Sequence, residues 1–185
     1  MILQENSSLQ KYNTFGIEAS ARYFLEVSSI DDIQNYLEDQ KLRTHPLLVL
    51  GGGSNILFTQ NFNGVVVRNR IKGIELIKED KDHYYVKAGA GEVWHEFVMH
   101  CIGKNYAGVE NLSLIPGSVG AAPIQNIGAY GVEQKEVFFS LEAVDIQSNK
   151  MVTLDAADCR FGYRDSIFKN ESKGRLIITS VTFCL

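Results

Sequence analysis

The chain has 185 residues, enough to bury a sizeable core as one domain or two small lobes. Its 18 lysines and arginines are interspersed with 22 acids for a net charge of −4, without a basic run, which argues against nucleic acid as a partner. No apolar run is long enough to span a bilayer, and the opening MILQENSSLQK lacks the basic-then-apolar plan of a signal peptide, so the reading is cytoplasmic, with no membrane partner. Three scattered cysteines, Cys101, Cys159 and Cys184, form no CxxC pair; they suit small buried thiols in a reducing cytosol rather than a disulfide framework, and no metal site is expected.

In chain order, Tyr12-Asn13-Thr14-Phe15-Gly16 mixes polar and aromatic residues without periodicity and reads as a loop. Ala21–Val27 reads as a strand. Ser29 with Asp31 and Asp32 marks a helix start, and Ile30, Ile33 and Leu37 recur at helical spacing through about Arg43. His45-Pro46 ends that helix, and Leu47–Leu50 is a short, wholly apolar strand of the buried parallel kind. The opening is therefore β-α-β.

That strand runs into Gly51-Gly52-Gly53-Ser54-Asn55. Consecutive glycines at a strand's end let successive backbone N–H groups point into one concavity, which suits an anion such as a pyrophosphate; a plain tight turn is the alternative. Two familiar phosphate loops are excluded. No Gly-Lys-Ser/Thr follows, and Ile56 stands where the dinucleotide fingerprint needs glycine. Asn61–Gly64 instead turns the chain into another strand, Val65–Arg68.

Ile74–Ile77 and Tyr84–Ala88 alternate around the charged turn Lys78–Asp82 and predict a hairpin. Trp94, Phe97, Val98, Cys101 and Ile102 form one apolar helical stripe closed by Gly103. His95 and His100 are five apart, off a shared face, and read as solvated; Trp94 reads as a core anchor.

The stretch Leu114–Gly131, LIPGSVGAAPIQNIGAYG, carries Gly117, Gly120, Gly128 and Gly131 with Pro116 and Pro123 and no charge. Neither helix nor core strand tolerates that mixture, yet Leu114, Ile115, Val119, Ile124 and Ile127 favour burial. A buried loop must pair its N–H groups, and a large ligand with its own acceptors is one way to do so. Beyond it, Phe139–Ile146 and Met151–Leu154 predict a second hairpin around Ser148-Asn149, and Asp155–Asp158 a short helical turn. In Arg160–Lys169, Phe161, Ile167 and Phe168 would pin the segment to the core and aim its polar residues at a site; a surface turn with a structural Arg–Asp pair is the alternative. Leu176–Leu185 reads as a strand.

Three of these stretches together, Gly51–Asn55, Ile115–Gly131 and Arg160–Lys169, resemble the UDP-N-acetylenolpyruvoylglucosamine reductase (MurB) family of peptidoglycan synthesis. Asn13–Gly16 and Asn69–Glu75 fit it too, and Gly162-Tyr163-Arg164-Asp165-Ser166 matches its arginine motif. The resemblance implies an α+β, two-lobed FAD-binding domain of the p-cresol methylhydroxylase (PCMH, vanillyl-alcohol oxidase-like) type, with residues 1–72 as one lobe and 73–185 as the other. FAD would be held by Gly51, Gly52, Gly53, Ser54 and Asn55 at its pyrophosphate, and by Ile115, Pro116, Gly117, Ser118, Gly120, Gln125, Asn126, Gly128, Ala129 and Gly131 along its flavin and adenine portions. Ala121 and Ala122 stand where family members often carry hydroxyls.

The implied reaction takes a hydride from NADPH through FAD to the enolpyruvyl double bond of a UDP-sugar substrate. Arg164 matches the catalytic arginine, suited to a developing carboxylate charge, and Tyr163 would orient substrate. The family continues into a substrate-binding domain that supplies a proton-donating serine and a glutamate, which this chain lacks; neither Ser166 nor any glutamate here is assigned those roles. Two further expectations follow: a flavin-binding module without turnover, and self-association through the surface that domain would cover. A covalent flavin oxidase is the distant alternative, since none of His45, His83, His95 and His100 lies in either glycine loop.

Overall fold

A computed structural model describes residues 2–185. The strands are β1 (Ile2–Ser8), β2 (Ser20–Val27), β3 (Leu47–Leu50), β4 (Phe62–Asn69), β5 (Ile74–Glu79), β6 (Tyr84–Gly89), β7 (Gly128–Ala129), β8 (Val132–Glu133), β9 (Phe138–Asp145), β10 (Lys150–Asp155) and β11 (Leu176–Cys184). The helices are α1 (Ile30–Glu38), α2 (Gln40–Arg43), α3 (Trp94–Gly103) and the single turn α4 (Ala156–Cys159).

Two sheets result. The first has the order β1-β2-β4-β3, with β2 and β3 parallel to β4 and β1 antiparallel at the edge. The second, β10-β9-β11-β6-β5, is antiparallel throughout. Period-two alternation sends Tyr23, Leu25, Val65 and Val67 to one face of the first sheet, where Ile33, Tyr36 and Leu37 of α1 pack. The same cluster takes in Val144 of β9 and Ile177 of β11, so α1 is sandwiched between the two sheets. The opposite face of the first sheet is closed by Leu9 and Phe58. On the far side of the second sheet, Trp94, Phe97, Val98 and Cys101 of α3 pack on Val86, Leu141, Val181 and Phe183. This is the expected α+β architecture.

Three details depart from the sequence reading. The N-terminal segment is not only loop: β1 precedes Tyr12–Gly16 and pairs with β2 from Ile2 to Ser8. The helix expected to run through Arg43 breaks at Asp39, whose N–H bonds Tyr36 O while its carboxylate caps α2 by accepting from Leu42 N at 3.0 Å. The strand β3 is parallel but lies at a sheet edge, with Val49 exposed. The sheets are stitched by the buried Asn69 of β4, whose amide donates to Ile178 O at 2.8 Å. From there residues 70–73 carry the chain into β5.

Candidate functional site

The first cavity lies where the Gly51–Asn55 turn meets Pro116–Ser118; its volume is about 380 Å³, and Trp94, Ala121, Ala122 and Lys169 also line it. The two loops touch: a Cβ on Gly52 would stand 3.5 Å from Gly117 Cα, and one on Gly117 would stand 3.6 Å from Ser54 Oγ. Asn55 donates to Gln125 Oε1 at 3.3 Å, a second bridge between the loops.

Both loops are held from behind. Gly53 has φ +70°, and a side chain there would collide with the Tyr12 carbonyl, so only glycine fits. Its own carbonyl accepts from Thr14 N at 3.1 Å and from Thr14 Oγ1 at 3.3 Å. Thr14 is fixed in turn by its neighbour Asn13, which is buried and donates to Leu9 O and Ile17 O. On the other side, Trp94 N donates to Gly117 O, Val119 N to Glu92 O and Gly120 N to Ala90 O. With carbonyls engaged this way, the N–H groups of Gly52, Gly53, Ser54 and Asn55 donate to nothing among the described residues. Four consecutive free donors at a cavity wall are a set that an anion can satisfy.

The second cavity, about 510 Å³, is lined by Gly128–Glu133, Lys135, Glu136, Tyr163 and Arg164. Phe161 packs edge-on to Phe138 at 4.9 Å, and Ile167 and Phe168 are buried, so the apolar residues do anchor the arginine segment. Between these anchors Gly162 and Asp165 exchange backbone hydrogen bonds at 3.0 and 3.3 Å, leaving Tyr163 and Arg164 as a two-residue tip. Arg164 has φ +53° and makes no contact ion pair among the described residues. The alternative of a structural Arg–Asp pair does not hold: among the described residues Arg160 pairs with Glu171, and Asp165 accepts from Asn170 at 3.0 and 3.1 Å. The Lys135 ammonium holds the Glu133 carboxyl below the usual carboxylate range, and Arg164 adds a smaller pull.

The structure therefore distributes the candidate residues over two cavities. Gly51, Gly52, Gly53, Ser54, Asn55, Pro116, Gly117, Ser118 and Gln125 line the first; Gly128, Ala129, Gly131, Tyr163 and Arg164 line the second. Ile115, Gly120 and Asn126 line neither. Gly120 is set by packing, since a Cβ there would stand 2.5 Å from that of Ala90. Asn126 is fully buried and spends its side chain on Gly162 O, Lys135 N and Gln134. Ser166 is equally engaged, donating to Ile124 O at 2.7 Å and accepting from Phe168 N at 3.2 Å. His95 is not simply solvated: its Nδ1 accepts from Leu114 N at 3.2 Å, at the entrance to the glycine-rich loop. Sequence reasoning gave Asn13, Thr14 and Lys169 no individual role; the Asn-Thr-Phe-Gly string and a third base in the arginine segment were the available signals.

A family model described as "FAD binding domain" matches residues 21–155, the span from β2 through β10. The chain belongs to that family. It is 54% identical over its full 185 residues to a UDP-N-acetylenolpyruvoylglucosamine reductase of Amoebophilus asiaticus, covering 55% of that protein. It is 49% identical over the same length to one of Flavobacterium johnsoniae, covering 54%. The chain thus spans about half the length of the curated relatives it matches. Among solved structures, the UDP-N-acetylenolpyruvylglucosamine reductase of Thermus caldophilus superposes with a TM-score of 0.76 at 23% identity, over 98% of this chain and 62% of that one. A p-cresol methylhydroxylase superposes with a TM-score of 0.64 at 13% identity, over 96% and 37%. These two likenesses are of fold, and they bear out the two-lobed FAD-binding architecture expected from the sequence.

Proposed function

We propose that the two glycine loops hold FAD and that the chain is the cofactor-binding part of an NADPH-dependent reductase acting on UDP-N-acetylenolpyruvoylglucosamine, yielding UDP-N-acetylmuramate for peptidoglycan synthesis in the cytoplasm. The observation that carries it is the row of free N–H groups from Gly52 to Asn55, facing Gly117 across one cavity in a chain of the FAD-binding family. The FAD diphosphate supplies the oxygens those donors need, and the uncharged wall of Pro116, Ala121, Ala122 and Ile124 suits a flat aromatic ring. When bound, FAD supplies hydride transfer between NADPH and the substrate double bond.

The chain's own residues would do the rest. Arg164, in no contact ion pair among the described residues, binds the enolpyruvyl carboxylate and stabilises the negative charge that builds there as hydride arrives. Tyr163, at the exposed tip beside it, orients the sugar nucleotide. A second reading, FAD binding without turnover, is favoured for these 185 residues by Ser166: the serine nearest Arg164 in sequence has both its donor and an acceptor site committed.

The visible spectrum of the purified chain after incubation with FAD and desalting tests the cofactor assignment. Retained flavin absorbance is expected, and a colourless protein rules it out. Adding NADPH and the enolpyruvyl sugar nucleotide then separates the two readings, because turnover excludes the binding-only one.

A further inference from the structure

Lys169 ties one cavity to the other. It lines the first, as do Ile124 and Gln125. Its ammonium donates at 2.7 Å to the carbonyl of Arg164, which lines the second. Lys169 makes no ion pair among the described residues, so its charge is uncompensated by a carboxylate. Arg164 needs holding: a non-glycine residue in the left-handed region is unfavourable, and among the described residues the Arg164 carbonyl itself is held by this ammonium.

We infer that Lys169 is a positioning residue that couples the two cavities, its ammonium attracting the anionic cofactor on one side and fixing the backbone of Arg164 on the other. This rests on the reading of the first cavity as the FAD site. The physical basis is the reach of a flexible four-carbon stem with three donors: one N–H is spent on the carbonyl, and the others remain for phosphate oxygens or a flavin carbonyl. Filling the first cavity then immobilises the ammonium, and the Arg164 tip with it.

The test uses the 185-residue chain, titrated with FAD by flavin fluorescence at low and high salt, with hydrogen–deuterium exchange followed over residues 160–170. Lys169→Met should weaken FAD binding by about tenfold, the usual worth of one charge-assisted hydrogen bond, and should flatten the salt dependence. Exchange at Gly162–Asp165 should quicken in this variant without FAD, and FAD should slow that exchange in the wild type only. Lys169→Arg keeps the charge and should bind FAD within about threefold of wild type. Lys169 is exposed, so both variants keep the fold, and unchanged exchange across α3 verifies it. Wild-type affinity in Lys169→Met overturns the inference, as does weaker binding with unchanged exchange at the tip. A wild-type chain that takes up no FAD sinks the cofactor reading itself, and the exchange of the tip alone then decides whether Lys169 holds Arg164.

Discussion

Asn126 donates its side-chain amide to the carbonyl of Gly162 at 2.9 Å, joining the glycine-rich loop to the arginine segment across 36 residues of sequence. Its Oδ1 accepts from Lys135 N at 3.2 Å, so one buried side chain sets the spacing of three segments around the second cavity. The backbone φ of +43° is one that asparagine tolerates better than most residues. Replacing Asn126 by alanine removes one of the two donors to the Gly162 carbonyl and the acceptor of Lys135 N, and the loss of these part-buried bonds should cost about 1–3 kcal/mol in urea unfolding. Asn126→Asp keeps the acceptor for Lys135 N but sets an oxygen against Gly162 O, so it should loosen the arginine segment at least as much as alanine does. Wild-type stability in both variants would remove Asn126 as the tie.

The glycine of the first cavity whose replacement should do most damage is Gly53. An alanine there meets both the left-handed φ and the backbone of Tyr12, which cannot give way while its neighbour Asn13 is locked to Leu9 and Ile17. Gly53→Ala should lose at least about 2 kcal/mol, strain and collision together, and should abolish FAD uptake. Gly103 ends α3 with open space where its Cβ would be, so Gly103→Ala should be neutral or stabilise by up to about 1 kcal/mol. Equal effects of the two substitutions in chemical denaturation would contradict this account of the turn.

These two positions show what the sequence disclosed and what it could not. Gly51–Gly53 announces a concavity because glycine runs have few other uses at a strand's end, and the periodicity of α3 or of the β9–β10 hairpin needs only neighbours to read. Asn126 and Asn13 gave no such signal. A single polar residue in a loop looks the same whether it faces solvent, a ligand or a distant carbonyl, and its 36-residue reach to Gly162 exists only once the fold is assembled. The strand β1 was hidden for a related reason. Its residues Gln4, Glu5, Asn6 and Ser7 are polar because an edge strand exposed on both faces has no apolar face to advertise.

At Arg164 stability and chemistry should separate. The side chain is exposed and has no ion-pair partner among the described residues, so Arg164→Ala should change unfolding free energy by no more than about 0.5 kcal/mol. In a full-length relative of this chain the same change should raise the barrier to reduction by about 3–5 kcal/mol, as removal of other electrostatic catalytic groups does. Arg164→Gly removes the guanidinium and also relieves the left-handed backbone, so it should be more stable than Arg164→Ala by about 1 kcal/mol. An alanine variant as stable as the glycine one would show that the φ of +53° carries no strain.

The acid limb of stability should report Asp145. This carboxylate, buried at the end of β9, accepts from Ser148 N at 2.9 Å and from Gln147 N at 3.0 Å, and pairs with Arg175 Nε at 2.8 Å. The Ser148 backbone N–H, then the Arg175 guanidinium, hold its pKa down to about 2. An aspartate in the unfolded chain titrates near 3.9, roughly the model-peptide value, so the folded state binds its proton later. The stabilisation is therefore fully present above about pH 5, and it drains as pH falls from about 4 to 2, where both states become protonated. Asp145→Asn keeps one oxygen for Ser148 but gives up the charge. The stability gap between wild type and this variant should stay flat from neutral pH down to about 5 and close below it. Urea midpoints measured from pH 2 to pH 7 decide the matter: a gap that is unchanged at the acid end would mean that Asp145 acts through shape rather than charge.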